Sequence, residues 1–87
     1  MKKVTIYSGD PCPYCNAAKT LLKTKDVEIE EFDIWKDPSK AKEMLQRTNG
    51  ARSIPQIFIG DHYIGGNDQL QKANRDGKLD ELLSSKT

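Results

Sequence analysis

The sequence reads Cys12-Pro13-Tyr14-Cys15 directly after a short β-branched run, residues 4–7, and at the point where helical spacing begins. Pro13 suits the first position of a helix, because its missing N–H would have no partner there and its φ is already helical. Cys12 then falls at the N-cap, where unpaired backbone N–H groups and the helix dipole favour a thiolate over a thiol. Cys15 lies one turn further on, on the same side, and can close a disulfide with Cys12. The pair is therefore predicted to be a dithiol–disulfide redox couple.

Other uses of the two cysteines agree less well with the sequence. A structural zinc site takes four N or S ligands, whereas this chain has two cysteines and one histidine, His62, which is far away in sequence. A purely structural disulfide would close a four-residue loop, which the chain-entropy model values at only roughly 2 kcal/mol before strain. No metal site within the chain is predicted. Inert thiols and a metal site shared between chains stay open as alternatives.

Length and charge narrow the class of protein. The chain has 87 residues, enough for one small domain, so residues 1–87 are predicted to form a single domain. Fourteen Lys and Arg against thirteen Asp and Glu leave a formal charge of +1, which implies no general attraction to nucleic acid or membrane. The first apolar run is too short for a secretory signal, and no stretch approaches membrane-spanning length. A reducing, cytoplasmic location is predicted, where a lone CxxC beside a βαβ pattern is typical of thioredoxin-like proteins.

The order of strand-like and helical patterns predicts the architecture. The first two strands enclose a helix, so they should be parallel through a right-handed crossover. The last two form a hairpin around Gly60-Asp61 and should add antiparallel strands to the same sheet. The prediction is an α/β fold with a mixed four-stranded sheet, β-α-β-α-β-β-α, helices on both faces and a short final helix. The predicted strands are residues 4–7, 27–34, 56–59 and 62–64; the predicted helices begin at Pro13, Pro38 and Asn67 and after Gly77.

Three separated motifs resemble the dithiol glutaredoxin family, a branch of the thioredoxin fold. They are CPYC at residues 12–15, GARSIP at 50–55 and GGND at 65–68. The resemblance covers nearly the whole chain and implies a glutathione-dependent thiol–disulfide oxidoreductase. In such an enzyme Cys12 is the attacking thiolate and Cys15 resolves the mixed disulfide formed with a protein. No bound cofactor is implied: glutathione is the reductant, and an NADPH-dependent glutathione reductase recycles its oxidised form.

Two of these motifs also imply contacts with the glutathione backbone. The resemblance implies a cis bond between Ile54 and Pro55, which would expose the Ile54 backbone to pair with the cysteinyl residue of glutathione. Taken alone, Pro55 would be an ordinary trans proline that starts a strand. Next to Gly66, the N–H groups of Asn67 and Asp68 would hold the γ-glutamyl carboxylate at a helix start, while the Asp68 side chain meets the ammonium group. Taken alone, the double glycine would be a turn between strand and helix.

The resemblance assigns four further residues to the same ligand. Arg52 and Lys42 match positions that bind the glycyl carboxylate of glutathione, although ordinary surface charge is the alternative for both. Tyr14 would pack its ring against bound glutathione. Ser53 stands at the family's threonine position and keeps the hydroxyl group.

One position departs from the family pattern. Relatives often carry a lysine three residues before the first cysteine, and this chain has Gly9 there, followed by Asp10. The cation that would favour both the Cys12 thiolate and the glutathione carboxylate is absent. We therefore expect the acidity of Cys12 to come mainly from the helix N-terminus, and we expect Gly9→Lys to lower its pKa.

Two other functions stay open at this point. One is a redoxin that takes electrons from thioredoxin reductase, against which the GGND motif and Arg52 argue. The other is an iron–sulfur module in which two chains and two glutathiones hold a cluster through Cys12; the Pro-Tyr pair differs from the Gly-Phe-Ser pattern of cluster-carrying relatives. The predicted partners are glutathione and disulfide-containing or glutathionylated proteins, and the predicted state is a monomer. Trp35 and His62 match no motif and are interpreted as strand-end packing and hairpin surface.

Overall fold

Strands and helices alternate along the chain in a computed structural model, which describes residues 3–84. Their order is the predicted one, with a fourth helix after Gly77. The elements are β1 (Val4–Ser8), α1 (Pro13–Lys23), β2 (Ile29–Asp33), α2 (Pro38–Arg47), β3 (Gln56–Ile59), β4 (His62–Gly65), α3 (Asn67–Arg75) and α4 (Lys78–Ser84).

The four strands form one mixed sheet in the order β2-β1-β3-β4. β1 and β2 are parallel, while β1–β3 and β3–β4 are antiparallel. This confirms the predicted sheet, and it places the ends of β1 and β2 beside the start of α1. The cysteine motif therefore begins at the edge where the central strand ends.

The larger core lies on the sheet face covered by α1, α3 and α4. Its members are fully buried aliphatic side chains that alternate along the strands with residues of the opposite face, as period-2 strands require. They are Val4, Ile6, Ala18, Leu22, Ile57, Ile59, Leu70, Leu79 and Leu83.

The opposite face carries a smaller, aromatic core covered by α2. Tyr7, Met44 and Phe58 are buried there. The Tyr7 hydroxyl donates a hydrogen bond to Glu43 Oε2 at 2.5 Å and accepts one from Arg47 Nη1 at 2.9 Å. The Arg47 guanidinium lies 3.9 Å from the centre of the Phe58 ring. These contacts tie α2 to the central strand although few of its side chains are buried.

The predicted second strand is longer than the observed one. Residues 27–34 were predicted, and β2 covers Ile29–Asp33. The apolar residues of this segment do not alternate regularly in the sequence, because both faces of the sheet are covered: Ile29 packs on the larger core and Phe32 on the aromatic one. Val27 also packs on the larger core, but it precedes the paired residues.

The Asn49-Gly50 pair predicts the end of the second helix, and the structure confirms it: Asn49 has φ +59° and the Gly50 N–H donates to the Leu45 carbonyl at 2.8 Å. The last residue of the helix is Arg47 and Thr48 is the C-cap. The Thr48 hydroxyl donates to the Met44 carbonyl at 2.7 Å and accepts the Ala51 N–H at 3.0 Å. Among residues 3–84, no helix is both long and apolar enough to cross a membrane.

Candidate active site

The two cysteines lie at the N-terminus of α1 as predicted. Cys12 is the N-cap with extended backbone, and Pro13 occupies the first turn. The Cys15 N–H donates to Cys12 Sγ at 3.1 Å, so a backbone donor already points at the sulfur that would carry negative charge. The sulfurs are joined as a disulfide, and the Cα atoms are 5.2 Å apart, within the usual range.

Accessibility distinguishes the two sulfurs. Cys12 retains 7% of its surface, whereas Cys15 is completely buried. A disulfide of another molecule can reach only Cys12 without a change in the helix. This agrees with Cys12 as the attacking group and Cys15 as the internal resolving group.

A cavity of about 280 Å³ lies between the CxxC turn, the 53–55 loop and the start of α3. It brings together seven of the residues predicted from the sequence. These lining residues, here called the cleft, are Tyr14, Ser53, Ile54, Pro55, Gly66, Asn67 and Asp68. The Ile54–Pro55 peptide bond is cis, as the resemblance implies.

The two predicted cationic residues are not part of this lining. Arg52 precedes Ser53 and is exposed, and Lys42 is exposed on α2. The Tyr14 ring is 66% exposed, as expected for a side chain that contacts a ligand and not the core.

The glycines at the start of α3 keep the cleft walls close together. A Cβ on Gly66 would lie 3.4 Å from the Pro55 carbonyl oxygen, so the two loops approach each other by their backbones. Gly65 has φ +113°, a conformation that other residues rarely adopt. The first intrahelical bond of α3 runs from the Leu70 N–H to the Gly66 carbonyl, so the N–H groups of Asn67 and Asp68 are free of helical partners.

Two residues that sequence reasoning missed support the 53–55 loop from behind. The Gln56 side chain donates to the Ser53 carbonyl, and the Tyr63 hydroxyl donates to Gln56. The available signal was a glutamine directly after Pro55 in a strand that is otherwise apolar. Its partner on the neighbouring strand could not be read from the sequence, because the pairing between β3 and β4 shifts after Ile57.

Trp35 occupies the space in which a side chain at position 9 would lie. A Cβ built on Gly9 would lie 2.6–2.8 Å from three atoms of the indole ring, too close for any real contact. Trp35 follows β2 and is 57% exposed, while Gly9 is buried beneath it. The expectation that Gly9→Lys alone adds a cation beside Cys12 does not take this ring into account.

We therefore predict that a lysine at position 9 acts only when the indole is removed. Gly9→Lys should lower the thermal midpoint and leave the pKa of Cys12 nearly unchanged, whereas Gly9→Lys with Trp35→Ala should lower that pKa. The measurement is the pH dependence of iodoacetamide alkylation in the Cys15→Ser background, with Trp35→Ala alone as the control. Equal titration midpoints in the double variant and its control would show that position 9 does not face the thiolate.

A charged network joins α1 to the neighbouring edge strand. Glu31 Oε2 accepts hydrogen bonds from Lys19 Nζ at 2.8 Å and from the buried Ser8 hydroxyl at 2.6 Å. The Lys19 bond, followed by the Ser8 bond, holds the pKa of the Glu31 carboxyl below its ordinary value. The network holds α1, the helix that carries both cysteines, against β2.

This network should make stability depend on pH. Because the pKa of Glu31 is lower in the folded state, its contribution is complete above the ordinary carboxyl range and is lost as the pH falls through the folded value. Glu31→Gln should therefore lower the urea midpoint at neutral pH and flatten its decline between about pH 6 and pH 3. Glu81→Gln, an exposed residue of α4, is the matched control and should retain the wild-type slope.

The glutaredoxin family model matches residues 4–64, which include the cysteine turn, the cis-proline loop and most of the hairpin. The chain belongs to the glutaredoxin family. It is 47% identical over 83 residues to a probable glutaredoxin of Synechocystis sp., covering 95% of this chain and 94% of that protein. It is 43% identical to glutaredoxin 3 of Escherichia coli, covering 95% and 99%.

A solved structure gives the same result for the fold. The crystal structure of a buckwheat glutaredoxin–glutathione complex superposes with a TM-score of 0.82 at 28% identity, covering 93% of this chain and 76% of that one. The thioredoxin fold predicted from the sequence is thereby confirmed. The protein is a glutathione-dependent thiol–disulfide oxidoreductase with a redox-active Cys12–Cys15 pair, and neither the thioredoxin-reductase-linked nor the iron–sulfur alternative is favoured. Within residues 3–84, no three His, Cys, Asp or Glu side chains are grouped to hold a metal ion.

Proposed function

We propose that the enzyme removes glutathione from glutathionylated proteins through Cys12 alone. The Cys12 thiolate attacks the glutathione sulfur of the mixed disulfide, and the thiolate of the substrate protein leaves. A glutathione thiolate then attacks the sulfur that Cys12 has acquired, which releases oxidised glutathione and restores Cys12. The observation that carries this assignment is the position of Cys12 at a helix N-cap, where it keeps 7% of its surface while Cys15 is completely buried.

Reduction of a protein disulfide uses both cysteines. Cys12 attacks one sulfur and one substrate thiolate leaves; the Cys15 thiolate then attacks Cys12 Sγ, the second substrate thiolate leaves, and the Cys12–Cys15 disulfide remains. Two glutathiones reduce it in two exchange steps. The short Cα separation of the pair supports this internal step, since no movement of the helix is needed for the two sulfurs to meet.

Glutathione is proposed to lie extended along the cleft. The Ile54 backbone pairs with its cysteinyl residue, and the free N–H groups at the start of α3 hold the γ-glutamyl carboxylate. The Asp68 carboxylate meets the adjacent ammonium group, and Tyr14 covers the ligand. Arg52 and Lys42 bind the glycyl carboxylate at the opposite end. Support comes from the lining of the cleft and from the buckwheat relative described as a glutathione complex.

The same proposal covers the partners and setting of the enzyme. The substrates are disulfide-containing and glutathionylated proteins, and an NADPH-dependent reductase recycles the oxidised glutathione. The chain acts as a monomer and forms a single domain, residues 1–87. It takes part in thiol–disulfide electron transport and is located in the cytoplasm. Glutathione is the reductant, and no bound cofactor takes part.

Arg52→Ala tests the orientation of glutathione. Loss of a charge-assisted contact, typically about 1.5–3 kcal/mol when well formed and less when exposed, should raise the KM for a glutathione mixed disulfide by about three- to tenfold. The alkylation rate of Cys12 should stay unchanged. Arg75→Ala is the matched control, because this exposed arginine lies at the far end of α3. Slower alkylation in parallel with the higher KM would mean that Arg52 acts on the thiolate and not on the ligand.

A further inference from the structure

Gln56 is a buried amide directly behind the cleft. It is 4% exposed, and its Nε2 lies 2.9 Å from the Ser53 carbonyl oxygen and 3.2 Å from Ser53 Oγ. A buried amide that loses its partners carries a large desolvation penalty, so a side chain held in this way strongly prefers one position. Gln56 therefore fixes both the backbone and the hydroxyl group of Ser53.

The directions of these hydrogen bonds follow from the chemistry of the groups. A carbonyl oxygen can only accept, so the atom that faces the Ser53 carbonyl must be the amide nitrogen. The amide oxygen then faces the Tyr63 hydroxyl, which must donate to it. The second N–H of Gln56 donates to Ser53 Oγ. The hydroxyl proton of Ser53 is left free to point away from Gln56.

Tyr63 is itself held in place by the aromatic core. Its ring stacks on Phe58 with the centroids 4.9 Å apart and the planes inclined by 25°. The hydrogen-bond series therefore runs from this stacked ring on β4, which is 41% exposed, through Gln56 on β3 to the 53–55 loop. Donors aligned in one direction polarise one another, which strengthens the last donor of the series.

We propose that Gln56 and Tyr63 are positioning residues that turn the Ser53 hydroxyl into the cleft as a hydrogen-bond donor to an oxygen of bound glutathione. The inference rests on the proposed glutathione site, because Ser53 lines the cleft assigned to that ligand. Gln56 and Tyr63 touch Ser53 and each other, and they act on the ligand only through the loop. Their role is thus separate from activation of Cys12, which belongs to α1.

Three variants separate this role from simple stabilisation. Gln56→Leu removes both donors at similar size, Tyr63→Phe keeps the stacked ring and removes only its hydroxyl, and Ser53→Ala removes the proposed final donor. The probe is the mixed disulfide of glutathione with 2-mercaptoethanol. Leu83→Ala is the control: this buried residue of the opposite core should lower the thermal midpoint at least as much without touching the cleft.

We expect a change in KM with nearly constant kcat. Gln56→Leu should raise KM about tenfold and Tyr63→Phe about threefold, with the alkylation rate of Cys12 unchanged. In the Ser53→Ala background, Gln56→Leu should raise KM by only about threefold, because the hydroxyl through which it acts is already absent. Tyr63→Phe keeps the test valid if Gln56→Leu does not fold.

Four variants compared in one assay distinguish the positioning role of Gln56 and Tyr63 from the proposed glutathione site on which that role depends. Arg52→Ala and Asp68→Asn are measured in the same assay. If these two raise KM while Gln56→Leu and Tyr63→Phe leave it unchanged, the positioning role is overturned and the glutathione site stands. If none of the four raises KM, both are overturned. A KM increase of equal size in Leu83→Ala would show that the effect is loss of stability, and would also overturn the positioning role.

Discussion

Cys12→Ser is expected to reduce both the removal of glutathione from mixed disulfides and the reduction of protein disulfides to less than roughly one thousandth of the wild-type rate. Cys15 cannot replace Cys12 as the attacking group. Cys15 is completely buried, whereas Cys12 is the N-cap residue of α1 and keeps 7% of its surface. The measurement is turnover of a glutathione mixed disulfide and, separately, of a protein disulfide, with glutathione as the reductant.

Cys15→Ser should separate the two activities. Removal of glutathione needs only one attacking sulfur, so it should remain within about threefold of wild type, while reduction of protein disulfides should fall by at least about tenfold. An equal loss of both activities in this variant would contradict the roles given to the two cysteines. Alkylation of the remaining Cys12 thiol serves as the control for its reactivity.

Gly65→Ala is expected to damage both stability and the cleft. A side chain at φ +113° strains the backbone and should lower the free energy of unfolding by about 1–3 kcal/mol. The added Cβ would also lie 3.2 Å from Gln69 Cγ. Because Gly65 ends β4 immediately before the N-cap of α3, the strain should displace the N–H groups proposed to bind the γ-glutamyl carboxylate. The KM for the glutathione mixed disulfide should then rise about fivefold or more.

Gly77→Ala provides the matched control for this prediction. Gly77 also has a positive φ, +79°, but no atom lies within 4 Å of a Cβ at that position, and it connects α3 to α4 away from the cleft. Gly77→Ala should lower the free energy of unfolding by a similar amount and leave the KM for the glutathione mixed disulfide unchanged. If both variants raise the KM equally, the effect of Gly65 is general destabilisation and not displacement of the site.

The fold could be predicted because its determinants are local in the sequence. Pro13 and Pro38 mark the first turns of their helices, and Gly60-Asp61 marks the hairpin turn. Such signals act within a few residues, so the order of elements and the start of α1 were predicted as observed. The exact length of β2 was not, because it depends on how many residues pair with β1 and not on the residues of β2 alone.

The supporting residues of the site could not be predicted, because their contacts join distant parts of the chain. Trp35 lies on Gly9 across 26 positions of sequence, and Tyr63 reaches Gln56 from another strand. The residues of the cleft itself were predicted through the three motifs, which the fold brings together at one end of the sheet. Nothing in those motifs indicates which side chains hold them from behind.

The central claim is that glutathione supplies the electrons for Cys12, and coupled turnover tests it most directly. The glutathione mixed disulfide of 2-mercaptoethanol is given to the enzyme with glutathione, glutathione reductase and NADPH, and in parallel with thioredoxin reductase and NADPH in place of the glutathione system. We expect NADPH oxidation that depends on the enzyme and on glutathione in the first assay, with at most about one hundredth of that rate in the second. Equal or faster turnover with thioredoxin reductase, or a first rate that does not change with glutathione concentration, would contradict it.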